Sequence, residues 1–130
     1  MFKQVDYVIA MVSDMDRAVQ FYRDKLGLDL KFQSPGWTEF NTGATTLALH
    51  GGGTPQHRPA PSDDVVQQAG SCHIGFSVAD LDKAYEELKA KGVVFVMAPT
   101  VRENEGIRLA VCLDPDGLQL SFAEPLPHPV

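Results

Sequence analysis

Tyr7-Val8-Ile9-Ala10-Met11-Val12-Ser13-Asp14-Met15-Asp16-Arg17-Ala18 is repeated, 66 positions later, as His73-Ile74-Gly75-Phe76-Ser77-Val78-Ala79-Asp80-Leu81-Asp82-Lys83-Ala84. The two stretches keep Val12 with Val78, Asp14 with Asp80, Asp16 with Asp82 and Ala18 with Ala84, and exchange Arg17 for Lys83. Each reads as a strand that passes into a helix through an acidic cap. A half-module used twice in a short chain predicts a core built by pairing the copies, with any site lying where equivalent strands face one another.

In the first copy Val8, Ala10 and Val12 alternate with Tyr7, Ile9 and Met11, the period of a strand with both faces largely dry. Ser13 or Asp14 stops that strand and caps a helix, where Met15, Ala18, Val19, Phe21, Tyr22 and Leu26 recur at three and four residues until Gly27 ends it. Strands are then expected at Asp29–Gln33, Trp37–Asn41 and Thr45–His50, separated by the turn signals Ser34-Pro35-Gly36 and Thr42-Gly43. The second copy predicts a strand over Ser71–Val78, a helix over Asp80–Lys91 closed by Gly92, and strands near Val93–Met97, Ile107–Leu113 and Leu118–Phe122. Asp114-Pro115-Asp116-Gly117 has Pro and Gly where a tight turn wants them.

The expected fold is therefore α+β: two tandem βαβββ modules, residues 1–52 and 71–124, forming a curved, cavity-enclosing mixed sheet. A length of 130 residues supports one buried core and is too short for two ordinary domains, so the repeat divides a single domain spanning 1–130. Residues 53–70 read as the connector, where Pro55, Pro59 and Pro61 prevent regular pairing and Asp63–Gln68 carries a short helical turn. Residues 125–130 are expected to be a loose tail.

A net charge of −6 with no cluster of Lys or Arg argues against nucleic acid or an anionic membrane as partner. It suits a small neutral or cationic ligand better. Met1-Phe2-Lys3-Gln4-Val5-Asp6 lacks an apolar signal core, and no run approaches the roughly 18 apolar residues of a membrane span, so a cytoplasmic protein is expected. Cys72 and Cys112, in apolar strand-like contexts without Cys-x-x-Cys spacing, read as buried free thiols rather than a disulfide or a metal pair.

Several stretches together carry a family resemblance: Val12-Ser13-Asp14-Met15-Asp16-Arg17-Ala18-Val19-Gln20-Phe21-Tyr22, Leu26-Gly27-Leu28, the second-copy run His73 to Leu81, and Asp114-Pro115-Asp116-Gly117. The chain resembles, over nearly its whole length, the vicinal oxygen chelate superfamily of glyoxalase I, extradiol dioxygenases, and fosfomycin- and bleomycin-resistance proteins. The resemblance implies the two-module fold and a homodimer. It leaves the chemistry open, because one scaffold carries metal-dependent lyases, oxygenases and transferases beside metal-free binding proteins.

In the enzymes of that family a divalent ion takes ligands from the first and last strands of each module. Period-two reasoning turns His73, Gly75 and Ser77 toward the cavity, with Tyr7, Ile9 and Met11 as their first-module counterparts. His73 falls where the resemblance implies a histidine ligand, whereas Tyr7 does not match. Ala48 and Ser121 stand where metal-bearing relatives commonly show carboxylates. A tight site for Ni²⁺, Zn²⁺, Fe²⁺ or Mn²⁺ wants three or more converging donors, so no cofactor is expected. His50 lies two residues beyond Ala48, and reads as a rim histidine that hydrogen-bonds ligand or water, or as a metal ligand joined by His73 if the ion sits off the family position. His73 itself reads as a buried histidine satisfied by a backbone carbonyl or by Tyr7, as a polar ligand contact, or as that metal ligand. Glu39, Glu105 and Glu124 read as solvated charges, Glu124 on the face opposite Ser121, and His57 and His128 as exposed. No Ser-His-Asp constellation, Cys nucleophile or phosphate-cradling glycine loop can be placed; Gly51-Gly52-Gly53 reads as a flexible connector.

What remains is a mainly apolar lining, from Tyr7, Ile9, Met11, Trp37 and Ala48 in one module and Gly75, Ser77 and Ser121 in the other. It suits an organic molecule of modest size oriented by Tyr7, His73 and His50. Trp37 either stacks on that molecule or belongs to the core or a dimer contact. Three functions stay open: metal-independent binding or sequestration, a metal-assisted lyase or extradiol-type dioxygenase using His73 and His50, and a metal-free enzyme with His73 as general base and Tyr7 as proton donor.

Overall fold

Asp14 and Asp80 open the two helices in the same way. Each stands in an extended conformation and accepts, 3.1 Å away, the backbone N–H three residues on, from Arg17 and Lys83 respectively. In the computed structural model, which describes residues 1–55 and 69–127, this shared entry is followed by the same order of strands in both halves. The first module runs β1 (Tyr7–Met11), α1 (Met15–Val19), β2 (Asp29–Gln33), β3 (Trp37–Thr42) and β4 (Thr45–His50). The second runs β5 (Ile74–Ser77), α2 (Leu81–Ala90), β6 (Val94–Arg102), β7 (Ile107–Leu113) and β8 (Gln119–Pro125). Two tandem βαβββ modules are present, and the chain divides into two compact units, one for each.

Each module forms its own open four-stranded mixed sheet. The strand orders are β1-β4-β3-β2 and β5-β8-β7-β6, with the first pair of each parallel and the others antiparallel. Val8 pairs with Leu47 and Ala10 with Leu49, while Leu47 and Leu49 pair with Phe40 and Thr38, so these side chains share one face. The helix covers that face: Met15, Ala18, Val19 and Tyr22 are buried, the Tyr22 and Phe40 rings lie 6.0 Å apart, and the Thr38 hydroxyl donates to Met15 Sδ. In the second module Leu81 and Leu88 of α2 are buried with Ala110, Cys112, Leu120 and Phe122, and Tyr85 meets Phe95 edge-on at 4.7 Å. Burying such side chains stabilises each module by roughly 1.5–3 kcal/mol per large residue.

Several boundaries move. The first helix stays α-helical only to Val19 and continues as a wider π-helical segment over Gln20–Lys25, where the adjacent aromatics Phe21 and Tyr22 are both buried and Leu26 N–H donates to Phe21 C=O, 3.0 Å. β6 runs on to Arg102 despite Pro99, because it is an edge strand whose register with β7 shifts on either side of Met97, and there a missing N–H costs no ladder bond. β8 extends through Pro125, and Leu126 N–H reaches Gly106 C=O, so the chain is held two residues into the segment expected to be loose. β5 begins at Ile74 rather than Ser71, which leaves Cys72 exposed; its expected burial is corrected, whereas Cys112 is buried, and both are free thiols. Asp63–Gln68, Pro59, Pro61, His57 and His128 lie outside the described residues. Among the described residues no helix is long and apolar enough to cross a membrane.

Candidate functional site

β1 alternates as expected, but its second face is not dry: Tyr7, Ile9 and Met11 are 61%, 45% and 55% exposed. The register aligns these residues with the open face of the neighbouring strands. Tyr7 lies beside Thr46, Ile9 beside Ala48 and Met11 beside His50; across β4, Glu39 lies beside Ala48 and Trp37 beside His50. The face carries a depression of about 400 Å³ lined by Asp6, Tyr7, Ile9, Trp37, Glu39, Thr46 and Ala48. Ala48 makes its floor. A methyl group between Ile9 and Glu39 leaves the space that a larger side chain would fill, and the flanking residues cover it completely.

Polar contacts hold the walls in place. Trp37 Nε1–H donates to Glu39 Oε2, 3.0 Å, while Lys31 Nζ stands 3.8 Å from Oε1. Glu39 is thus no free solvated charge, as the sequence suggested; two residues after Trp37, it shares a strand face and orients the indole. The same period-two spacing that aligned Tyr7, Ile9 and Met11 is the signal that could have found it. Gln4 Nε2–H donates both to Asp6 Oδ1, 2.8 Å, and to Ala44 C=O, 3.0 Å, which ties the carboxylate at the mouth to the β3–β4 turn. Beyond the indole, His50 is exposed and meets Trp37 edge-on, with ring centroids 6.0 Å apart. Its Nδ1 lies 2.7 Å from Gly51 C=O. A carbonyl only accepts, so Nδ1 carries the proton and Nε2 keeps a lone pair in the neutral ring.

In the second module Gly75 pairs with Ser121 and Ser77 with Ala123. His73, Gly75 and Ser77 are exposed and Ser121 is buried; a β-carbon on Gly75 would come to 3.1 Å from Ser121 Oγ. Exposure removes the reading of His73 as a buried, internally satisfied histidine. Tyr7, Trp37 and Ala48 therefore gather around one depression with Met11 and His50 at its edge, whereas His73, Ser77 and Ser121 belong to the other module's sheet.

Glu124 does point away from Ser121, toward α2, but it is engaged rather than solvated. Its Oε1 accepts Leu81 N–H, 3.1 Å, and its Oε2 accepts Arg108 Nη1–H, 3.2 Å. Arg108 also forks onto Asp82, at 2.7 and 3.1 Å, and that hydrogen bonding, aided by the guanidinium charge, holds the Asp82 carboxyl below its usual range. Glu105 is exposed in the 3₁₀ turn Glu103–Glu105, which Gly106 closes in a left-handed conformation, φ 69°.

The profile of the Glyoxalase/Bleomycin resistance protein/Dioxygenase superfamily matches residues 4–122, and the chain belongs to that superfamily. Among its relatives is an uncharacterized protein of Mycolicibacterium smegmatis, 32% identical over 124 residues that make up 95% of each chain. The metallothiol transferase FosB of Staphylococcus haemolyticus is 29% identical over 82 residues, 63% of this chain and 54% of that one. Among solved structures, the crystal structure of SMU.1112c superposes with a TM-score of 0.81 at 25% identity, covering 95% of this chain and all of that one.

The metal found in enzymes of this superfamily has a poor donor set here. Ala48 offers only a methyl group at its strand position, and among the described residues no group of three His, Cys, Asp or Glu converges to hold an ion. As placed, the described residues do not supply the three converging donors that a tight divalent site wants.

Proposed function

We propose that the protein binds a small organic molecule on the open face of its first module and does so without a metal. The depression floored by Ala48 carries this reading: it is large enough for a modest ligand, apolar at its base and bordered by two aromatic rings. Tyr7, Met11, Trp37 and His50 would contact the guest. Filling the floor tests it. Ala48→Leu should abolish saturable ligand-induced changes in the fluorescence of Trp37, the sole tryptophan, while leaving the far-UV circular dichroism intact. Wild-type affinity in that variant would sink the proposal.

A metal-dependent lyase or dioxygenase using His50 and His73 is the second reading. It is supported by the free lone pair on His50 Nε2 and by relatives named metallothiol transferases. Elemental analysis of protein purified without chelator or affinity tag, followed by titration with Ni²⁺, Zn²⁺, Fe²⁺ and Mn²⁺, separates the two. One tightly held equivalent lost in His50→Ala would favour the enzyme.

A further inference from the structure

We propose that the guest of the first-module depression is an organic cation, an alkylated or quaternary ammonium carried on an apolar body. This deepens the binding reading above and rests on it. Two of the lining side chains, Asp6 and Glu39, are carboxylates, two, Tyr7 and Trp37, are aromatic, and none is basic. A cation held over an aromatic face is attracted by the ring's electron density, and the attraction grows when both groups leave water. Carboxylates beside the rings add charge of the same sense.

Asp6 is held by a neutral partner and Glu39 by only one loose cationic one. Asp6 is held by the Gln4 amide, which positions it without cancelling its charge. Glu39 gives one oxygen to the Trp37 indole, and its cation partner, Lys31, stands off at 3.8 Å on a side chain 54% exposed. An anion entering the depression would meet two negative groups and no lining cation. A neutral guest would cover the carboxylates without replacing their water, which is costly. An alkylated ammonium satisfies both demands: its charge sits among Asp6, Glu39 and the rings, and its carbon skeleton covers the exposed side chain of Ile9. Lys31 then competes with the guest for Glu39.

Three probes of similar size test this through Trp37 fluorescence: benzyltrimethylammonium, its uncharged carbon isostere neopentylbenzene, and benzenesulfonate. The cation should bind saturably, about tenfold more tightly than the isostere, and less tightly as NaCl is raised, with no response to the sulfonate. Asp6→Asn and Glu39→Gln should each weaken the cation several-fold, while Lys31→Ala should strengthen it, a gain that misfolding does not produce. Equal affinity for cation and isostere, preference for the sulfonate, or weaker cation binding in Lys31→Ala overturns the cation proposal and leaves the organic-ligand reading standing. If neither these probes nor a panel of neutral aromatics perturbs Trp37, both fail.

Discussion

Cys112 has no exposed surface, and burial, helped by the nearby charge of Asp114, pushes its thiol up to about 12. The thiolate is the reactive form, so Cys112 should be inert in the folded protein while exposed Cys72 reacts. A chromogenic disulfide reagent near neutral pH is expected to titrate one thiol in native protein and both in denaturant; two fast thiols in native protein would contradict the packing of β7. At Asp82 the sign runs the other way. Its folded-state pKa is depressed, chiefly by the hydrogen bonds from Arg108, so its contribution is present above the ordinary carboxylate range and is lost as pH falls through the folded value. The melting temperature of wild type should therefore exceed that of Asp82→Asn near neutral pH, and the gap should close as pH falls below the ordinary carboxylate range. The gap should be small and shrink with added salt, since Asp82 is largely exposed. At this scale strand alternation told which way Tyr7, Ile9, Met11, Ser77 and Ser121 point, but not their company. Glu39 and Glu124 read as solvent charges because the partners that engage them, Lys31 for one and Arg108 and the α2 N-terminus for the other, come from other elements.

The elements most legible from the chain are those ended by local chemistry. Asp14 and Asp80 cap their helices through bonds spanning three residues, and substituting Ala at either should cost about 1 kcal/mol, measured by urea unfolding. Asp114 does more. Its Oδ1 accepts the N–H groups of Asp116 and Leu118, at 2.9 and 2.8 Å, inside a turn where its own carboxylate is buried. Asp114→Ala is expected to cost about 1–3 kcal/mol by leaving those donors without their acceptor; a loss no larger than that of a surface substitution would mean the turn is held by its backbone alone. β2, β4 and β7 match their expected bounds because turn residues punctuate them on both sides. The misjudged ends, at β5, β6 and β8, lie where pairing with a neighbouring strand decides how far extension continues. β6 is the clearest instance: expected near Val93–Met97, it continues past Pro99 to Arg102 because an edge position with a shifted register accommodates the proline.

For the molecule as a whole, the duplicated βαβββ order follows from the repeated phrase, and superfamily membership rests on both. We propose in addition that the chain works as a homodimer, for which sedimentation equilibrium should return about twice the 14.2 kDa chain mass; a monomer at all concentrations would refute it. By itself the sequence determined the repeat, the helix caps, the turns and the side of each strand on which a residue lies. All of these depend on bonds or periodicities spanning a few residues. Only the tertiary structure decided that Asp6 and Glu39 share a depression floored by Ala48, and that Glu124 closes the N-terminus of α2. Those encounters are set by the order and register in which strands distant in the chain pair, and periodicity along one strand carries no record of its neighbour.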